Sequence, residues 1–246
     1  MKHSRSSLST VAGFTHIGCV RSRNEDNLYF ETHPHKDAIL AVIADGMGGH
    51  AGGAMASRLT IEAYFRGWKR LESPNGQWLC DTAVVANNLI RWHAEKDPSL
   101  KDMGTTLVAF LLIDGVAHVV NIGDSRCYHY SKRKLTQITT DHSLVQSMVD
   151  KGSLTPEQAE QSPIRNYLTR SLGSFQNPEV DYKTIPVNQG DRLLLCSDGL
   201  SNMLKKQEIS VLLRTRTNDE YICQTMIELA LLRGASDNIS VIVCTV

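Results

Sequence analysis

The spacing of hydrophobic and polar residues changes several times along the chain, and each change marks an element. Val11 to Gly18 and Asn27 to Glu31 read as two short strands around the charged stretch Arg21-Ser22-Arg23-Asn24-Glu25-Asp26. Ala38 to Ala44 is an unbroken apolar run bounded by turn formers, the pattern of a buried strand. After Asp45-Gly46 and a group of glycines, a helical rhythm runs from about Ala51 to Leu71. In it Met55, Leu59 and Ala63 recur every four residues, and Ile61, Phe65 and Trp68 widen the stripe. Ser73-Pro74-Asn75-Gly76 breaks this helix, and a second one, Gln77 to Glu95, ends before Asp97-Pro98.

Beyond Gly104 the period shortens. Thr105 to Ile113 and Val116 to Ile122 form a predicted hairpin across Asp114-Gly115, followed by Gly123-Asp124-Ser125-Arg126 and a strand from Cys127 to Tyr130. Lys132-Arg133-Lys134 reads as a solvated hairpin tip. Asp141 to about Gln161 reads as helical pieces, the first capped by Asp141 and the next opened by Thr155-Pro156-Glu157. These pieces interrupt a strand-rich region and are expected to form a mobile insertion. Val180 to Pro186 and Arg192 to Cys196 return to strand, Glu208 to Arg214 and Asp219 to Leu232 to helix, and Ile239 to Val246 to a last strand. This segregation argues for an α+β fold with antiparallel sheets. With no repeat, low-complexity tract or long linker, residues 1–246 are expected to form a single domain.

Charge and composition exclude more than they assign. The 26 basic and 26 acidic residues cancel, so nothing steers the chain to nucleic acid or to anionic lipid. No apolar run reaches the roughly 18 residues of a membrane span, and no signal segment follows the basic start. Six scattered cysteines, with no Cys-x-x-Cys pair, read as reduced core thiols. The expectation is a soluble cytoplasmic monomer with neither nucleic-acid nor membrane partners.

The candidate chemistry lies in the carboxylates. Asp45, Asp124 and Asp198 each stand just past the end of an apolar strand, whereas Asp26 and Asp237 stand just before the start of one. In antiparallel sheets the end of one strand lies beside the start of the next, so all five can gather at one edge. Their repulsion there calls for cations. Oxygen-only donors favour Mg²⁺ or Mn²⁺. Two such ions about 3.5–4 Å apart can hold a bridging hydroxide for in-line displacement at phosphorus. Arg21 is placed to grip the phosphate oxygens.

These residues fall into motifs: Arg21-x-x-Asn24-Glu25-Asp26, Asp45-Gly46-Met47-Gly48-Gly49, Gly104-Thr105-Thr106, Gly123-Asp124-Ser125-Arg126, Asp141-His142-Ser143, Ser197-Asp198-Gly199 and Asp237-Asn238. In this order the chain resembles the metal-dependent Ser/Thr protein phosphatases of the 2C type, in their short bacterial form. The resemblance implies a four-layer α-β-β-α sandwich, two antiparallel sheets face to face with helices outside. It implies hydrolysis of phosphoserine and phosphothreonine in proteins by a metal-bridged hydroxide, without a phosphoenzyme, opposing a bacterial Ser/Thr kinase. It also implies site roles. Asp45 bridges two ions, Asp198 and Asp237 complete the first, and the Gly46 carbonyl serves the second. Glu25 holds a water on the second ion and Asp26 supports it. Asp124 joins Asp198 at a third metal position, and Arg21 binds phosphate. Residues 141–175 correspond to the flap beside the active site. Eukaryotic members carry a histidine where this chain has Met47, so a metal-bound water is the expected proton donor, with His50 the other candidate.

Three rival readings are weaker. Gly46-x-Gly48-x-x-Ala51 formally matches a dinucleotide fingerprint, but no second strand ending in an acidic residue follows about 20 residues on. Cys127-x5-Arg133 has the spacing of cysteine-dependent phosphatases, but the residues between read as strand and include no glycine. An inactive phosphoprotein-binding relative would lack a metal-ligand aspartate, and none is missing.

Overall fold

A computed structural model describes residues 9–48 and 52–246. The first sheet has the strand order β1 (Thr10–His16), β11 (Ile239–Thr245), β10 (Arg192–Cys196), β7 (Arg126–Ser131), β8 (Lys134–Gln137). The second has the order β2 (Asp26–Thr32), β3 (Ala38–Met47), β5 (Leu107–Ile113), β6 (Val116–Ile122), β9 (Asp181–Pro186), with the short β4 (Gly104–Thr105) on the end of β3. Every pairing is antiparallel.

The apolar run in β3 is unbroken because both of its faces are covered. Ala38, Leu40 and Val42 point to α1 (Gly52–Arg70) and α2 (Gly76–Lys96), where Tyr64, Trp68, Leu79 and Ile90 meet them. Ile39, Ala41 and Ile43 point the other way, to Leu193 and Leu195 of β10 and Ile242 of β11. The outer face of the first sheet packs under α5 (Asp198–Ser201), α6 (Lys206–Leu213) and α7 (Asp219–Leu232), through Leu200, Ile209, Ile222 and Met226 against Leu194, Val241 and Val243. The result is the expected four-layer α-β-β-α order. No helix among the described residues is long and apolar enough to cross a membrane.

The insertion carries α3 (Leu144–Asp150) and α4 (Pro156–Glu160). Thr155 caps α4 as expected, with Gln158 returning the bond. The cap of α3 is Ser143, not Asp141: the Ser143 hydroxyl accepts from Gln146 N–H at 3.2 Å. Asp141 is already engaged, taking Arg126 Nε and Nη2 at 3.0 and 2.6 Å and Gln137 Nε2 at 2.9 Å. The basic hairpin tip is present, with Lys132 and Arg133 in the left-handed region at φ 49° and 64°. β8 and α5 were not expected. Their cores carry too few apolar residues to show a period, and pairing with β7 and packing on β11 create them.

Candidate active site

The two sheets present their carboxylates along one edge. Asp26 opens β2 and stands opposite Asp45 in the β2–β3 ladder. β3 continues past the expected end at Ala44, because Gly46 and Met47 find partners in Thr105 and Gly104 of β4. Three bonds then fix the Asp45 main chain. Its N–H donates to Thr106 Oγ1 at 3.0 Å, while its carbonyl accepts from Thr105 Oγ1 and from Thr106 N–H, each at 2.8 Å. Gly46 is held by close approach: a Cβ there would lie 2.2 Å from the Gly53 carbonyl oxygen at the start of α1.

The first sheet supplies the other carboxylates. Asp198 begins α5 directly after β10, and Asn202 Nδ2 donates to its Oδ2 at 3.2 Å. Gly199 lets that turn press on the strand beside it, since a Cβ would fall 1.9 Å from the Asn238 carbonyl. Asp124 lies in the loop between β6 and β7, and Asp237 just before β11. Ser197, fully buried, joins the two sheets: its hydroxyl donates to Asp26 Oδ2 at 2.8 Å and accepts from Ser240 N–H at 2.9 Å.

Electrostatics shows that the five are neighbours. Burial, then the charges of Asp26, Asp198, Asp124 and Asp237, push the Asp45 carboxyl well above the usual range. Burial, then Asp198 and Asp141, do the same to Asp124. Asp198 is raised to about 6 by burial and then by Asp237. Asp26 is raised to about 7 by burial, with Asp198 and Asp237 adding to it against the hydroxyls of Ser240 and Ser197. Asp26 Oδ1 is buried with no hydrogen-bond partner. A hard divalent cation fits this oxygen-only set, because its charge offsets the repulsion that otherwise keeps the group partly protonated. Among the described residues, no three acidic, histidine or cysteine side chains converge closely enough to hold a metal ion as they stand. Asp237 is instead turned onto Arg21, whose Nη2 donates to its Oδ2 at 2.8 Å.

Arg21 therefore reaches the cluster, with just over half of its side chain exposed. Glu25 lies against the first turn of α1, where a Cβ on Gly53 would come 2.6 Å from its Oε2. His50 lies outside the described residues, and Met47 has no proton to give. Cys127 is fully buried on β7, and burial followed by Cys196 pushes its thiol up, so it cannot serve as a thiolate nucleophile. The dinucleotide reading fails as well: both neighbours of β3 in the second sheet are antiparallel, and α1 leads into α2.

Two residues matter more than the sequence suggested. Asn238 Oδ1 accepts from Glu25 N–H at 2.8 Å, and its Nδ2 donates to Ile17 O and Arg23 O at 2.9 and 3.0 Å. It thus shapes the loop that carries Arg21. Arg126, bidentate to Asp141, offsets part of the rise that burial and neighbouring carboxylates impose on Asp198 and Asp124. Both residues stand in the motifs as neighbours of an aspartate, the one signal that could have singled them out.

Comparison with known proteins gives the chain a family. The family model for Protein phosphatase 2C matches residues 13–227. The serine/threonine phosphatase stp of Listeria monocytogenes is 36% identical over 234 residues, covering 93% of this chain and 92% of its own. The serine/threonine protein phosphatase PstP of Mycobacterium tuberculosis is 41% identical over 233 residues, covering 93% of this chain and 43% of that longer protein. The crystal structure of M. tuberculosis PstP/Ppp superposes with a TM-score of 0.89 at 36% identity, covering 98% of this chain and 99% of that one. The PstP catalytic domain in complex with two manganese ions gives 0.85 at 36% identity, covering 96% and 97%. With its fold, its motifs and its relatives in agreement, the chain belongs to the 2C-type protein phosphatases and is a metal-dependent serine/threonine phosphatase.

Proposed function

We propose that this chain works as one catalytic domain that removes phosphate from phosphoserine and phosphothreonine proteins, opposing a Ser/Thr kinase of the same cytoplasm. The gathering of five aspartates from two sheets at one edge supports the reading. Asp45 would bridge two Mn²⁺ or Mg²⁺ ions, with Asp198 and Asp237 on the first and the Gly46 carbonyl on the second. Glu25 would act there through water and Asp26 would orient its neighbours, while Asp124 and Asp198 would offer a third position. Bound there, the ions would supply an activated water and offset charge on the phosphoryl oxygens. Arg21 would leave Asp237 to grip those oxygens with its planar fork. The three bonds on the Asp45 main chain fix the backbone from which that carboxylate would reach the ions. Residues 141–175 would act as a flap that helps to choose the peptide.

The test is hydrolysis of a phosphothreonine peptide with Mn²⁺ or with EDTA, each with and without a thiol alkylator. Activity that requires Mn²⁺ and survives alkylation is expected. Activity that persists in EDTA and dies on alkylation would overturn the metal reading. A chain that binds the peptide and never hydrolyses it would be a binding relative.

A further inference from the structure

Asn87 lies on the covered face of α2, in register with Leu79, Ala83, Ala86 and Ile90, and is fully buried. A buried amide on an apolar stripe is costly unless both of its ends are bonded. Here both ends bind one short stretch of main chain. Nδ2 donates to Phe175 O at 3.0 Å and to Gln176 O at 3.3 Å, and Oδ1 accepts from Gly173 N–H at 2.8 Å. Gly173 has φ +94°, and a Cβ there would meet Ile90 Cγ2 and the Met103 carbonyl, each at 2.7 Å.

Just before this clamp, Leu172 exchanges two hydrogen bonds with Thr105, at 3.1 and 2.9 Å. Thr105 in turn donates its hydroxyl to the Asp45 carbonyl at 2.8 Å. A short series of bonded contacts thus runs from α2 to the main chain of the central carboxylate. The segment's other end is tied to the Asp124 loop, where His142 N–H donates to Gly123 O at 2.9 Å and Gly123 N–H donates to His142 Nδ1 at 3.0 Å. Of these anchors, the amide of Asn87 is the one set on a helix of the outer layer.

We propose that Asn87 is a positioning residue for phosphopeptide hydrolysis: by clamping residues 173–176 it holds the flap in a fixed relation to Asp45. The proposal rests on reading residues 141–175 as a flap that acts on peptide substrates.

Two variants test it from opposite sides. Asn87→Asp keeps an acceptor for Gly173 N–H and removes both donors, while Gly173→Ala displaces the same hinge. Amide hydrogen exchange reads the clamp, and kcat/KM on a phosphothreonine peptide and on a small aryl phosphate reads its use. Exchange at residues 172–176 should quicken about tenfold or more with β5 and β10 unchanged. Peptide kcat/KM should fall about tenfold, with the aryl phosphate within about twofold of the parent. Unchanged exchange at 172–176 in both variants would overturn the clamp. Faster exchange with an unaltered peptide-to-aryl ratio would overturn the positioning role, as would uniform loosening that includes β5 and β10. Tyr167→Ala, at an exposed flap residue, separates the two readings. If it alone shifts the ratio, the flap reading stands and the role of Asn87 falls; if no variant shifts the ratio, both fall.

Discussion

Arg21 Nη2 and Asp237 Oδ2 form an ion pair at 2.8 Å, so the expected phosphate-binding arginine rests on an expected metal ligand. Removing Arg21 frees Asp237 and takes away a charged phosphate contact. Arg21→Ala should therefore lower kcat/KM on a phosphothreonine peptide by about 10- to 100-fold, mainly through KM. The midpoint for Mn²⁺ activation should stay the same or fall. A raised Mn²⁺ midpoint with KM unchanged would reverse these assignments.

Asp26 faces Asp45 in the ladder and bonds Ser197 of the other sheet. Asp26→Asn keeps the shape and removes one of the crowded charges. The expected result is about 10- to 100-fold weaker Mn²⁺ activation, together with a higher melting temperature in EDTA at pH 8. Titration of activity with Mn²⁺, alongside thermal melts, checks both halves.

The raised carboxyls make stability depend on pH in a defined direction. In the folded chain Asp26 is raised to about 7 and Asp198 to about 6, both above the ordinary aspartate value of about 3.9. The folded state therefore holds more protons than the unfolded state between those limits, and stability falls as pH rises from about 4 through 7. In EDTA the melting temperature should drop between pH 6 and pH 8. Added Mn²⁺ binds the ionised folded form, so its stabilising shift should be larger at pH 8 than at pH 6. Equal shifts at the two values would contradict this linkage.

Gly199 and Asn238 test the seam between β10 and β11. A Cβ on Gly199 would fall 1.9 Å from the Asn238 carbonyl. Gly199→Ala should cost about 1–3 kcal/mol, which lowers the melting temperature by roughly 2–4 °C for each kcal/mol in a chain of this size. Asn238→Ala strands Glu25 N–H and the carbonyls of Ile17 and Arg23. Its loss of activity should exceed its loss of stability, because the loop holding Arg21 slackens. Paired urea denaturation and peptide assays separate the two effects.

The long apolar runs and the helical stripes were legible because the layer that covers each face decides every position on it. Ala38 to Ala44 is such a case, since either face of β3 meets a core. The aspartates were legible too, as polar residues at strand ends. What escaped depends on residues far apart in the chain. Met47 belongs to a strand because Gly104 pairs with it, and Asp141 leaves the cap of α3 to Ser143 while Arg126 and Gln137 hold its carboxylate. Asn87 sits in an apolar register where its amide says nothing of residues 173–176, its actual partners.

The place of β11 has a consequence for synthesis. It lies between β1 and β10, and Asp237 stands two residues ahead of its first residue. A polypeptide made from its N-terminus carries Asp26 and Asp45 early, yet β1 has no neighbour in its sheet until β11 arrives. Asp26 and Asp45 are therefore synthesised long before the strand that joins β1 to β10, and the carboxylate edge is assembled only once β11 has paired with both of them.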